Sequence, residues 1–127
     1  MTKAKEIYKC AICGNTVRVI GKGKGELVCC GQPMNLLTEN STDAAQEKHV
    51  PVVEQVPGGY KVSVGSVAHP MAEEHYITWV ALRTDDGIEH EKFLIANDKP
   101  EMIVKTTAKA IKAGEYCNQH GLWVKEV

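Results

Sequence analysis

From Val50 to Val127 apolar and polar positions alternate in short runs, the period of a strand with one face buried. Seven such runs stand out: Val50 to Val56, Tyr60 to Val64, His75 to Leu82, Ile88 to Ile95, Met102 to Thr106, Ala113 to Cys117 and Leu122 to Val127. Strong turn sequences separate several of them, namely Pro57-Gly58-Gly59, Asp85-Asp86-Gly87 and Asn97-Asp98-Lys99-Pro100. Lys105 to Ala113 is rich in helix formers, but Gly114 and the lack of an apolar stripe favour strand there. Short, regularly spaced strands of this kind predict an immunoglobulin-like antiparallel β-sandwich over residues 38–127.

Residues 1–37 follow a different rule. Ile7 to Lys9 and Thr16 to Ile20 are strand-like, Gly21-Lys-Gly-Lys-Gly25 is a turn, and Glu26 to Val28 lead back to a cysteine pair. So few large aliphatic side chains cannot hold a unit of this size by burial alone, and units this small usually need a metal or disulfides. The expected architecture is therefore a small metal-stapled β domain at 1–37 followed by the sandwich at 38–127. Residues 38–48 are polar and read as a linker, with room for one helical turn capped by Ser41 or Asp43.

The chain has 127 residues and a net charge of −1, but residues 1–37 carry six Lys/Arg against two Asp/Glu. That local excess comes without a basic helix or an aromatic platform, so nucleic acid is not an expected partner. No apolar run reaches the ~20 residues of a membrane helix, and the N-terminal residues lack a signal-peptide core. A soluble protein in the reducing cytoplasm is the expectation, and there thiols bind metals more often than they form disulfides.

Of five cysteines, Cys10, Cys13, Cys29 and Cys30 cluster in the first unit, while none of the five histidines lies in the first 48 residues. Soft and imidazole donors are thus segregated, which points to two different metal sites. The first has the pattern C-x2-C, fifteen residues, then C-C. Successive side chains of a strand face opposite ways, so Cys29 and Cys30 can share an ion only if the backbone bends between them. Four thiolates suit iron and zinc alike, and spacing alone does not choose.

The other donors are His49, His69, His75, Cys117 and His120, the last two forming a C-x2-H. His90 lies on a charged strand, Glu89-His-Glu-Lys92, and is set aside. A nucleophilic Cys–His pair is disfavoured by the surplus of histidines and the absence of an oxyanion motif. A blue-copper site would need a methionine after the C-x2-H, and none follows Cys117.

Tyr8-Lys-Cys-Ala-Ile-Cys-Gly-Asn15 and Leu27-Val-Cys-Cys-Gly31 resemble the desulforedoxin domain. Glu47-Lys-His-Val-Pro51, Ala68-His-Pro-Met71, His75-Tyr-Ile77 and Tyr116-Cys-Asn-Gln-His-Gly-Leu-Trp123 resemble desulfoferrodoxin, the two-iron superoxide reductase, over essentially the whole chain. The resemblance implies two irons per chain. One is held by Cys10, Cys13, Cys29 and Cys30; the other has His49, His69, His75 and His120 around its equator and Cys117 on its axis. It further implies one-electron reduction of superoxide to hydrogen peroxide at the open sixth position, without release of dioxygen. Lys48 would attract the anion, Glu47 would cap the oxidised iron, and Gln119 would not be a ligand. A rubredoxin-like electron donor and a homodimer belong to the same expectation, and calcium or other ions are left undecided. The rival reading is a non-catalytic iron electron carrier or metal-binding module.

Overall fold

The computed structural model describes residues 1–40, 49–65 and 70–127. Glu47, Lys48, His69 and the turn expected at Ser41 or Asp43 lie outside the described residues. The chain divides into two compact units, Met1–Thr38 and Glu39–Val127.

In the first unit β1 (Ile7–Lys9) lies between β2 (Thr16–Arg18) and β5 (Asn35–Leu36), antiparallel to both, while β3 (Val28–Cys29) pairs with β4 (Gln32–Pro33). β4 and β5 were not marked by any alternation in the sequence, because two-residue strands are too short to display a period. Only Cys10 and Val19 are buried in this unit, so its apolar core is minimal. Ile12, Ile20 and Val28 are all more than half exposed.

The second unit is a pair of antiparallel sheets. One has the order β10 (Glu101–Lys105), β7 (Gly59–Val64), β6 (Pro51–Val56). The other has the order β12 (Gly121–Glu126), β11 (Ala110–Cys117), β8 (Ile77–Thr84), β9 (Glu89–Phe93). These seven strands fall on the seven alternating runs of the sequence. Their inward side chains make one core, with Val62, Val64, Ile77, Val80, Leu82, Leu94, Met102, Val104, Ala113 and Cys117 packed together.

Two strand starts differ from the alternation. The run beginning at His75 becomes a strand only at Ile77, because the His75 backbone is engaged in a two-way bridge with Ala72 (3.0 and 3.1 Å). The segment between Lys105 and Ala110 is a turn, held by Thr106 Oγ1 accepting from the Ala108 amide and Asp85 Oδ1 accepting from the Lys109 amide. Where β7 passes β10, Gly59 lies so close to the Val104 carbonyl oxygen that a Cβ would collide with it. The strand therefore admits only glycine there.

Candidate metal centres

In the first unit the ligand atoms of Cys10, Cys13, Cys29 and Cys30 all lie within 4.8 Å of one another. The four cysteines are free thiols, with Cys13 and Cys29 sulfurs 3.5 Å apart and Cys29 and Cys30 sulfurs 3.9 Å apart. Four thiolates at about 2.3 Å from one tetrahedral ion would be about 3.8 Å apart, so the cluster has the right size. The bend demanded by the adjacent pair is present. Cys30 has a φ of 52° and Gly31 one of 77°, a left-handed turn that brings both sulfurs to one side of the chain.

The electrostatics of this cluster also suit a cation. The Cys10 thiol is lowered to about 6 because the backbone amides of Cys13 and then Ile12 point at its sulfur, the first at 3.5 Å. The Cys30 thiol is pushed up to about 12, chiefly by its contacts with Cys13 and then Cys29. Cys29 is raised by the same crowding, with Cys13 the leading neighbour. The four sulfurs are thus close enough to share protons by hydrogen bonding, a crowding that suits a single bound cation.

The second cluster lies at one end of the sandwich and draws on both sheets. His49 immediately precedes Val50 and β6, His75 lies just before β8, Cys117 ends β11, and His120 closes the turn into β12. Strand pairing makes these ends coincide: Pro51 is opposite Val64 in one sheet, and Cys117 is opposite both Ile77 and Gly121 in the other. The ligand atoms of His49, His75, Cys117 and His120 lie within 4.8 Å of one another, with His49 Nε2 and His120 Nδ1 at 3.0 Å. Two nitrogens bound at about 2.1 Å and at right angles to one ion are separated by about 3.0 Å. Cys117 Sγ is 3.9 Å from His120 Nδ1.

A register shift in the β11–β8 pairing aims the sulfur. Tyr116 faces Trp79 but Cys117 faces Ile77, so Thr78 is skipped. Such a bulge breaks strict alternation and re-aims a side chain. Here it accompanies burial of both Tyr116 and Cys117 although they are neighbours in sequence.

Four residues outside the expected donor set shape this end of the sandwich. Trp123, 2% exposed, stacks on the His49 ring (centroids 5.1 Å apart, 24° between planes) and donates its indole N–H to the His120 carbonyl oxygen at 3.0 Å. Asn118 and Gln119, inside the C-x2-H, both bond to the Glu74 carbonyl oxygen. Glu115 is fully buried two residues before Cys117, and burial pushes its carboxyl up to about 9. In sequence the only signal for Trp123 was its place three residues after His120, and nothing marked Glu115 as inward-facing except its parity with Ala113 and Cys117. His90 lies away from the cluster, with its Nε2 at 3.2 Å from Thr84 Oγ1.

The fold and donors define a two-unit β protein with an all-thiol metal centre and, in a separate unit, an imidazole–thiol centre. The family model described as "Desulfoferrodoxin, N-terminal domain" matches residues 2–37, and that described as "Desulfoferrodoxin" matches residues 41–126. The desulfoferrodoxin of Desulfarculus baarsii is 52% identical over 126 residues, covering 99% of each chain. A superoxide reductase of Pyrococcus abyssi is 37% identical over 108 residues, covering 71% of this chain and 94% of its own. Among solved structures, the superoxide reductase from Treponema pallidum superposes with a TM-score of 0.74 at 35% identity, covering 94% of this chain and 98% of its own. The chain belongs to the desulfoferrodoxin family. It is an iron-binding oxidoreductase, and its two donor clusters fit two iron centres.

Proposed function

We propose that this protein is a superoxide reductase working at the His/Cys centre, with His69 joining His49, His75, Cys117 and His120 as a ligand. The observation that carries the reading is the meeting of three imidazoles and one buried thiol from four strand ends. Iron(II) held there supplies one electron, which together with two protons converts superoxide to hydrogen peroxide without forming dioxygen.

The chain's own contribution is asymmetric. Cys117 belongs to the apolar core, whereas His75 and His120 are only half-buried. Among the described residues, the imidazole side is thus the more open to a small anion and the sulfur side the more closed. Cys117 would hold the iron through its thiolate, a strongly electron-donating ligand, as thiolates are in haem proteins. Lys48 would draw the anion in and Glu47 would cap the oxidised site once peroxide has gone. Backbone order supports the imidazoles: the Trp123 plate lies under His49, and the Trp123 indole fixes the His120 carbonyl.

The Cys10–Cys13–Cys29–Cys30 centre would relay electrons from a rubredoxin-like donor, in a cytoplasmic homodimer. The five free thiols accord with a reducing compartment. The deciding experiment mixes the reduced, iron-loaded protein with a pulse of superoxide and follows both products. Peroxide without dioxygen is expected. Dioxygen evolution would make the protein a dismutase, and no consumption of superoxide would leave an electron carrier.

A further inference from the structure

We infer that Asn118 is a positioning residue that holds His75 in place relative to Cys117. Resting on the proposed reading that these two side chains share an ion, the inference concerns the residue that follows the thiol. The Asn118 amide N–H donates to the Tyr76 carbonyl oxygen at 3.2 Å. Its side-chain Oδ1 accepts from the Tyr76 amide at 3.0 Å, and its Nδ2 donates to the Glu74 carbonyl oxygen at 3.3 Å. Both neighbours of His75 are thus bonded to the immediate neighbour of Cys117.

The register shift explains why such a device is needed. Between Tyr116 and Cys117 the β11–β8 ladder slips, so the regular pairing that would fix the start of β8 is interrupted where His75 must be placed. The Asn118–Tyr76 pair of bonds replaces the lost rungs. Gln119 adds a further bond to the Glu74 carbonyl oxygen, and the Ala72 bridge fixes the His75 backbone from the other side. A carboxamide offers an acceptor to one flank and a donor to the other from separate atoms. Aspartate keeps the acceptor and loses the donor; leucine fills similar space and keeps neither.

The test uses the full chain with both irons loaded, and compares wild type with Asn118→Asp, Asn118→Leu and His75→Ala. Iron release to a chelator is followed per chain, alongside the thiolate-to-iron absorption band of the oxidised protein and thermal unfolding. In Asn118→Leu one of the two irons should leave about tenfold faster, with the band shifted, while the all-cysteine iron leaves at the wild-type rate. Asn118→Asp should lie between, and it carries the test if the leucine variant does not fold. Release and band unchanged in the folded variants would overturn the inference, whether or not the melting temperature falls, since a merely structural bond lowers stability alone. If His75→Ala retains both irons as wild type does, the ligand reading has failed instead.

Discussion

Glu115 offers the sharpest quantitative test, because its environment converts burial into a pH dependence. It lies on β11 between Val80 of β8 and Trp123 of β12, is 0% exposed, and neither carboxyl oxygen has a hydrogen-bond partner among the described residues. Burial alone pushes it from its ordinary 4.5 up to about 9, so it is a neutral acid in the folded protein at pH 7. Unfolding returns it to water, where it ionises. Between pH 4.5 and about 9 the unfolded chain therefore holds fewer protons than the folded one. Its contribution to stability is complete below 4.5 and is lost as pH rises toward 9, by up to about 1.4 kcal/mol per pH unit. By pH 7 the loss approaches about 3 kcal/mol. Glu115→Gln keeps the shape and the buried polar group but cannot ionise. Both tryptophans, Trp79 and Trp123, lie in the second unit, so urea unfolding followed by tryptophan fluorescence reports on that unit alone. Measured from pH 5 to 8 at equal iron loading, the two proteins should start with similar stability and diverge, the glutamine variant becoming more stable by about 2–3 kcal/mol at pH 7. Titration of the metal ligands is common to both proteins and drops out of the difference. Parallel stability curves would refute the reasoning.

Lys48→Ala should slow superoxide capture several-fold and flatten its dependence on ionic strength, measured by pulse radiolysis at low and high salt; identical salt profiles would remove Lys48 from anion steering. Cys13→Ser should cost the first unit its iron and much of its order, since Cys10 and Val19 are its only buried residues, and metal analysis with circular dichroism checks this. With an artificial electron donor the same variant should keep turning over if the first iron only holds its unit together, and should slow if electrons pass through it. Gly59→Ala forces a methyl group against the Val104 carbonyl oxygen and should destabilise the sandwich by at least about 2 kcal/mol in urea unfolding.

Much of the fold was legible because the sandwich strands are long enough to alternate. Val62 and Val64 point inward while Lys61 and Ser63 do not, and that period is written in the residues. The strand at Ile77 was blurred because His75 and Tyr76 continue the pattern although their backbones serve the turn. Donor types and their segregation were legible, since cysteine and histidine are scarce and their spacings are distinctive. The outer supports were not. Asn118 reads as an ordinary turn residue until Tyr76 and Glu74 are seen beside it, 42 and 44 positions away. Glu115 pairs a charged side chain with the parity of Ala113 and Cys117, and its complete burial shows that the parity wins.

The two donor clusters also differ in how far apart their members stand along the polypeptide. Cys13 and Cys29 are 16 residues apart, whereas His49 and His120 are 71 apart. Closing a short loop is fast and needs little else, while the long closure waits for the strands between to assemble. During synthesis, the early thiols can capture an ion while the ribosome is still making the sandwich. The late pocket exists only after the final hairpin, Ala110–Cys117 with Gly121–Glu126, has docked. Filling the reactive centre is thus tied to completion of the chain, and a truncated product would carry the four-thiol ion without the one at the His/Cys centre.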